Sequence, residues 1–265
     1  MYQFTYHRPR TLEAAASLAG SAEEAKLLAG GQTLLPTMKQ RLAAPAHLID
    51  ITGLADLVFI RPSDTSVVIG ALTPHYMVAT SADVVKKIPA LAALVGTIGD
   101  PAVRHRGTIG GSIANNDPAA DYPAACLALG ATITTNKRKI AAQDFFRGLF
   151  ETALEDSEII TEVAFPVPDK AAYEKFRQPA SRFALVGVFV AKLGHDVRVA
   201  VTGAGARGVF RVPQFEAALE ADFSAQAIAG LAMPAEGLNS DIHADAVYRA
   251  HLIGVMTRRA VAKAG

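Results

Sequence analysis

Two short stretches have the residue types to hold a charged ligand. One is Ala29-Gly30-Gly31-Gln32-Thr33-Leu34-Leu35-Pro36; the other is Thr108-Ile109-Gly110-Gly111-Ser112-Ile113-Ala114-Asn115-Asn116. Both share one plan: an apolar residue, two glycines, a polar residue, then a turn into an expected helix. Adjacent glycines let the backbone take positive φ and leave its N–H groups open to close approach. N–H groups exposed ahead of a helix form an anion site. Two such loops could grip a pyrophosphate from opposite sides. A single Gly-Gly is ordinarily a plain turn, and neither stretch matches a Walker A loop or a G-x-G-x-x-G fingerprint.

Other candidate groups are weaker. The seven histidines are scattered, with no H-E-x-x-H pair, so no metal site is expected. No G-x-S-x-G elbow occurs. Asp117 and Asp121 could be paired carboxylates, but a turn residue and a helix N-cap explain them equally well. Arg104-His105-Arg106 could meet a phosphate or another subunit, or form a solvated loop. Asp50 reads as a turn or capping group. Cys126, the one cysteine, sits in an apolar helical run and reads as a buried thiol. A lone cysteine excludes an internal disulfide and a cysteine-ligated iron–sulfur cluster within this chain.

The elements that must position the loops follow from periodicity and punctuation. Phe4 and Tyr6 suggest a short strand, Leu12 to Leu18 a helix capped by Thr11, and Ala25 to Ala29 a buried strand running into the first glycine pair. Thr33 to Leu42 reads as a helix and His47 to Ile51 as a strand. This order implies a small parallel sheet with right-handed crossovers, with the glycine loop at a strand's carboxyl end. A strand pair over 57–61 and 66–70 follows, then short helices over 76–80 and 89–95. Next come a glycine-punctuated stretch from Gly96 to Gly111 and a helix after Asp121 that Gly130 stops. Ala131 to Thr135 and Glu158 to Phe165 are strands, with a helical or turn segment over 144–150 between them. Pro166-Val167-Pro168 marks the expected boundary. Beyond it, strands over 185–193, 197–202 and 207–212 precede helices over 213–219, 224–231 and 244–262.

With 51% hydrophobic and 19% charged residues in 265, a sizeable core is expected and disorder is not. A net charge of +1 gives no long-range attraction to nucleic acid. No apolar run reaches the roughly 18 residues of a membrane span. The first residues lack the layout of a signal peptide, so a cytoplasmic protein is expected.

Taken together, the motifs resemble the medium, FAD-binding subunit of molybdenum hydroxylases, the group of carbon monoxide dehydrogenase, aldehyde oxidoreductase and xanthine dehydrogenase. The first glycine stretch with Met38-Lys39 and Arg41-Leu42 is similar to the family's first flavin loop. Thr108 to Ala114 with Asn116-Asp117-Pro118-Ala119-Ala120-Asp121-Tyr122-Pro123 is similar to the second. Asp144 to Phe150, Glu158-Ile159-Ile160 and Tyr173 to Ala184 also fit, nearest the carbon monoxide dehydrogenase branch.

The resemblance implies an α+β fold: a two-lobed vanillyl-alcohol-oxidase-type (PCMH-type) FAD-binding domain plus a C-terminal domain of three-stranded antiparallel sheet with helices. Residues 1–56 would form the first lobe, 57–168 the second and 169–265 the C-terminal domain. FAD would lie between the lobes, held by Ala29, Gly30, Gly31, Gln32, Thr33 and Leu34 and by Thr108, Ile109, Gly110, Gly111 and Ser112. The backbone N–H groups of Gly30 to Leu34 and of Gly110 to Ser112 would hold the diphosphate. Thr108 and Asp121 would bond to the diphosphate, ribose or ribityl part, Ile160 would line the pocket, and Lys175 or Arg177 would sit nearest the isoalloxazine ring. Phe183-Ala184 stand where xanthine dehydrogenases carry an acidic stretch, which favours an acceptor other than a nicotinamide. Molybdopterin would lie on a large partner subunit and two [2Fe–2S] clusters on a small one, in a dimer of heterotrimers, with this chain passing electrons to an external acceptor. The single cysteine suits a flavin-only subunit. The implied chemistry is the flavin's, so no general acid or base is named. Two other readings stay open: a stand-alone flavin-dependent reductase or oxidase of the same fold, and a scaffold whose glycine loops are only turns.

Overall fold

The computed structural model describes residues 1–265. Its first region alternates strand and helix: β1 (Thr5–His7), α1 (Leu12–Ser21), β2 (Ala25–Leu28), α2 (Leu34–Lys39) and β3 (His47–Asp50). Thr11 starts α1 by accepting the Ala14 N–H; such caps typically contribute about 1 kcal/mol. The three strands pair in parallel in the order β1-β3-β2. The first glycine loop leaves the carboxyl end of the edge strand β2, as the β-α-β reading requires.

The second region contains β4 (Ile60–Pro62), β5 (Ser66–Gly70), α3 (His75–Thr80), α4 (Ala82–Lys87), α5 (Pro89–Gly96), α6 (Pro101–Arg106), α7 (Ile109–Asn115) and α8 (Tyr122–Leu129). It continues with β6 (Thr132–Thr135), β7 (Lys139–Ala141), α9 (Ala142–Phe145), β8 (Phe146–Gly148), β9 (Glu151–Thr152) and β10 (Ile160–Pro166). Five of the strands form an antiparallel sheet, β4-β5-β10-β6-β7. Every residue of α8 is buried, because the helix packs against β10 on one side and the last sheet on the other. A helix enclosed on all sides needs no polar stripe, and its sequence YPAACLAL has none.

The last region holds β11 (Lys170–Arg177), β12 (Ala184–Leu193), β13 (Asp196–Thr202), β14 (Phe210–Arg211), α10 (Pro213–Ala221) and α11 (Ala246–Ala264). Its antiparallel sheet has four strands, β11-β12-β13-β14, not the expected three. The added strand is β11, whose charged residues hide its pattern. The helix expected over 224–231 is also absent: that segment closes four-residue turns such as Ala227 N–H to Ser224 O and Leu231 N–H to Ile228 O. Side chains alternate across β12. Phe189 and Ala191 enter the core of the second region, while Val186, Val188 and Val190 enter a separate core under α10 and α11. Two-sided burial explains the nearly unbroken apolar run of this strand. Arg249 of α11 is itself buried and donates to the carbonyls of Leu185 and Gly203 and to Asp241, which fixes α11 on the sheet. No helix is long and apolar enough to cross a membrane.

Candidate functional site

The first loop is a row of unspent donors. None of the N–H groups of Gly30, Gly31, Gln32, Thr33 or Leu34 donates to another protein group. Gly31 has φ +71°, a left-handed turn suited to glycine. The side chains of Gln32 and Thr33 are exposed, and Thr33 opens α2 without a side-chain cap. Successive open amides of this kind form an anion-binding nest.

The second loop lies against the first. A methyl group at Gly30 would overlap the Arg106 carbonyl and lie 2.7 Å from Gly107 Cα. One at Gly111 would lie 3.6 Å from Ala29 Cβ. The two glycine pairs therefore lie side by side, and each lacks a side chain where the loops meet.

Their backbone roles differ, which corrects one expectation. The N–H groups of Gly110 to Ser112 are not free for a phosphate. Ile109 donates to Thr73 O and Gly110 to Ala71 O. Gly111 donates to Thr108 Oγ1 and Ser112 to Thr108 O. The cause is that α7 starts a turn earlier than expected: Thr108 is its N-cap, so the glycines lie inside the helix. What the second loop offers the cleft is a side-chain-free wall around Gly111, with Ser112 half-buried beside it.

Behind the junction stands His75. Its backbone N–H bonds to Gly107 O, and its ring leaves room for Gly107 only because that residue has no Cβ. Burial pulls the imidazole down to about 4, helped by the Arg104 guanidinium, so the ring is neutral at pH 7. Its Nδ1 and the Tyr122 hydroxyl are both buried without a partner, and the two rings lie 5.5 Å apart. Glycine 107 and His75 escaped the sequence reading, since only the fold brings them to the loops.

Asp121 precedes α8 but does not cap it with its side chain, a second correction. The carboxylate instead accepts from Tyr173 and forms a 2.9 Å ion pair with Lys175. Both side chains of the pair are only 4% exposed. Burial pushes the Asp121 carboxyl up, and the Lys175 ammonium and Tyr173 phenol oppose that push. Lys175 is therefore not a free cation, whereas Arg177 is exposed and bordered by Pro179 and Arg182. Ile160 is buried at the start of β10.

Asp50 closes β3, accepting from the Thr52 amide and hydroxyl at 2.9 and 2.6 Å and from Tyr6 at 2.5 Å. Of the basic triplet, Arg104 donates to the carbonyls of Ile98 and Gly99 and His105 stacks on Tyr76. Arg104 is half-buried by these bonds, whereas His105 and Arg106 are exposed, and the Arg106 carbonyl lies against Gly30. Cys126 is buried, which pushes its thiol far up and leaves it inert.

A run of open amides at a strand's carboxyl end, set against a second glycine pair, sits on an α+β scaffold. Residues 2–168 match the family described as the FAD binding domain in molybdopterin dehydrogenase, and the chain belongs to that family. It is an FAD-binding medium subunit of the molybdenum hydroxylase type. The carbon monoxide dehydrogenase medium chain of Afipia carboxidovorans is 36% identical across 98% of this chain and 96% of its own. The nicotine 6-hydroxylase medium subunit of Paenarthrobacter nicotinovorans is 35% identical over the same shares. Carbon monoxide dehydrogenase from Hydrogenophaga pseudoflava, solved without the Mo-pyranopterin moiety, superposes with a TM-score of 0.86 at 35% identity, covering 99% of this chain and 97% of that one.

Proposed function

We propose that the diphosphate of FAD rests on the amides of Gly30 to Leu34, with Gly111 and Ser112 closing the cleft from the other side. The single observation behind this reading is the row of five open amides beside a second loop that carries no side chain where the two meet. Ala29, Thr108, Ile109 and Gly110 shape the cleft. Ile160 lines the pocket, and Asp121 faces the ribose or ribityl part. Arg177, being exposed and unpaired, is the better candidate than Lys175 for the residue nearest the isoalloxazine ring. When bound, FAD supplies the capacity to exchange electrons both singly and in pairs. The protein positions it and sets its electrostatic surroundings.

In this reading a small [2Fe–2S] subunit donates electrons, a large molybdopterin subunit carries the substrate chemistry, and the three form a cytoplasmic dimer of heterotrimers. The FAD-binding part comprises lobes 1–56 and 57–168, consistent with a family match that ends at 168. Residues 169–265 form the C-terminal domain. A stand-alone reductase or oxidase is not favoured, because the relatives are named as medium chains of larger enzymes.

The test mixes FAD-loaded chain with a pre-reduced [2Fe–2S] subunit of a molybdenum hydroxylase from the same organism. Loss of the oxidised-flavin absorbance is expected. An unchanged spectrum, or turnover of a small substrate by this chain alone, contradicts the assignment.

A further inference from the structure

We propose that Tyr173 and Gly187, both on the C-terminal sheet, are positioning residues for the flavin site: the phenol holds the buried Asp121–Lys175 pair in place, and Gly187 provides the space the phenol occupies. This deepens the function proposed above and rests on it.

The register of the sheet sets up the arrangement. Gly187 stands opposite Lys175 on one side and Thr202 on the other, and Tyr173 stands opposite Phe189. On a pleated sheet residues two apart share a face, so Tyr173, Lys175, Gly187 and Thr202 all point the same way. That way is toward the turn 118–121 ahead of α8. Thr202 Oγ1 donates to the carbonyls of Ala120 at 2.6 Å and Pro118 at 3.1 Å, and the Gly203 amide to Pro118 O at 2.8 Å. Tyr173 donates to one oxygen of Asp121 while Lys175 takes the other at 2.9 Å. β11 and the end of β13 thus clasp one four-residue turn, with Gly187 of β12 between them.

Gly187 is the keystone of this clasp. A methyl group there would collide with the Tyr173 hydroxyl and lie 2.9 Å from Thr202 Cγ2. Glycine is otherwise out of place in the middle of a buried strand, and its φ is not positive. The need is for space, not for backbone freedom.

The consequence is electrostatic. Burial favours a neutral carboxyl at Asp121, and the phenol and ammonium together oppose this. Loss of the phenol removes one hydrogen bond to the charged form and shifts the balance toward a neutral acid beside an unneutralised Lys175. An added positive charge at the site favours the more negative, reduced state of a bound flavin.

The experiment compares wild type, Tyr173→Phe, Gly187→Ala and the double variant, each loaded with FAD at pH 7. Thermal unfolding, FAD dissociation constant and flavin midpoint potential are measured. Tyr173→Phe is expected to raise the potential by about 30 mV, a tenfold shift in the two-electron balance, and to weaken FAD binding several-fold. Gly187→Ala should move both in the same direction. Its effect should shrink in the Tyr173→Phe background, because the clash partner is gone. Wild-type potential and affinity in both single variants, with only the melting temperature lowered, overturn the proposal and leave Tyr173 a packing residue. Should Tyr173→Phe not yield folded chain, Gly187→Ala alone decides by the same readouts. Failure of the wild-type chain to bind FAD is a separate result, which overturns the proposed function itself.

Discussion

Replacing Gly30 by alanine is expected to weaken FAD binding about a hundredfold while leaving the chain folded. The added methyl group meets backbone, the Arg106 carbonyl and Gly107 Cα, so no side chain can swing aside to admit it. The two loops must separate. Charge-assisted hydrogen bonds to a phosphate contribute about 1.5–3 kcal/mol each, and spoiling two of them removes about 3 kcal/mol, near a hundredfold in affinity. Gly111→Ala is the internal control. Its methyl would lie 3.0 Å from Thr108 Oγ1 and 3.6 Å from Ala29 Cβ, a small adjustment at a helical position, so only a few-fold loss is expected. Flavin fluorescence titration of both variants, with circular dichroism to verify folding, checks this. Equal losses at the two positions contradict the packing argument.

The second large effect concerns stability. Lys175→Met leaves the Asp121 carboxylate buried without its counter-charge, although Tyr173 still donates to it. Breaking a buried pair by removing one partner typically costs 3–5 kcal/mol. The carboxyl can escape part of that cost by taking up a proton, so about 3 kcal/mol is expected, which lowers the melting temperature by roughly 10 °C for a chain of this size. Adding Asp121→Asn removes the orphaned charge and should restore most of the loss, because a buried pair is stabilising mainly relative to its broken halves. A Lys175→Met variant with unchanged melting temperature contradicts the buried-pair reading.

Local signals carried much of the architecture. Thr11, Gly30-Gly31, Pro123 and Gly130 punctuate the chain where the structure caps, turns or stops, and the β1-α1-β2-α2-β3 order follows from them. Elements whose reasons lie far away were missed. β11 reads as a charged stretch because Lys175 answers Asp121, 54 residues upstream, and Glu174 answers Lys263. The first turn of α7 reads as a loop because Gly110-Gly111 resembles a turn, yet acceptors at Ala71 and Thr73 and the Thr108 hydroxyl hold it helical. α6 hides among glycines and becomes visible only through its Asp100 cap and Pro101 at the first position. The glycine pairs and Asp121 were legible as candidate site residues, but which loop's amides stay open was not. The amides of the first loop are open and those of the second are bonded, because hydrogen-bond partners across the fold decide which amides remain free.

Amide hydrogen exchange with and without FAD tests this division most directly. The amides of Gly30 to Leu34, without a protein acceptor, should exchange freely in the apo chain and become strongly protected when FAD binds, while those of Gly110 and Ser112, already bonded, should change little. FAD bound with no protection at Gly30 to Leu34 contradicts the account.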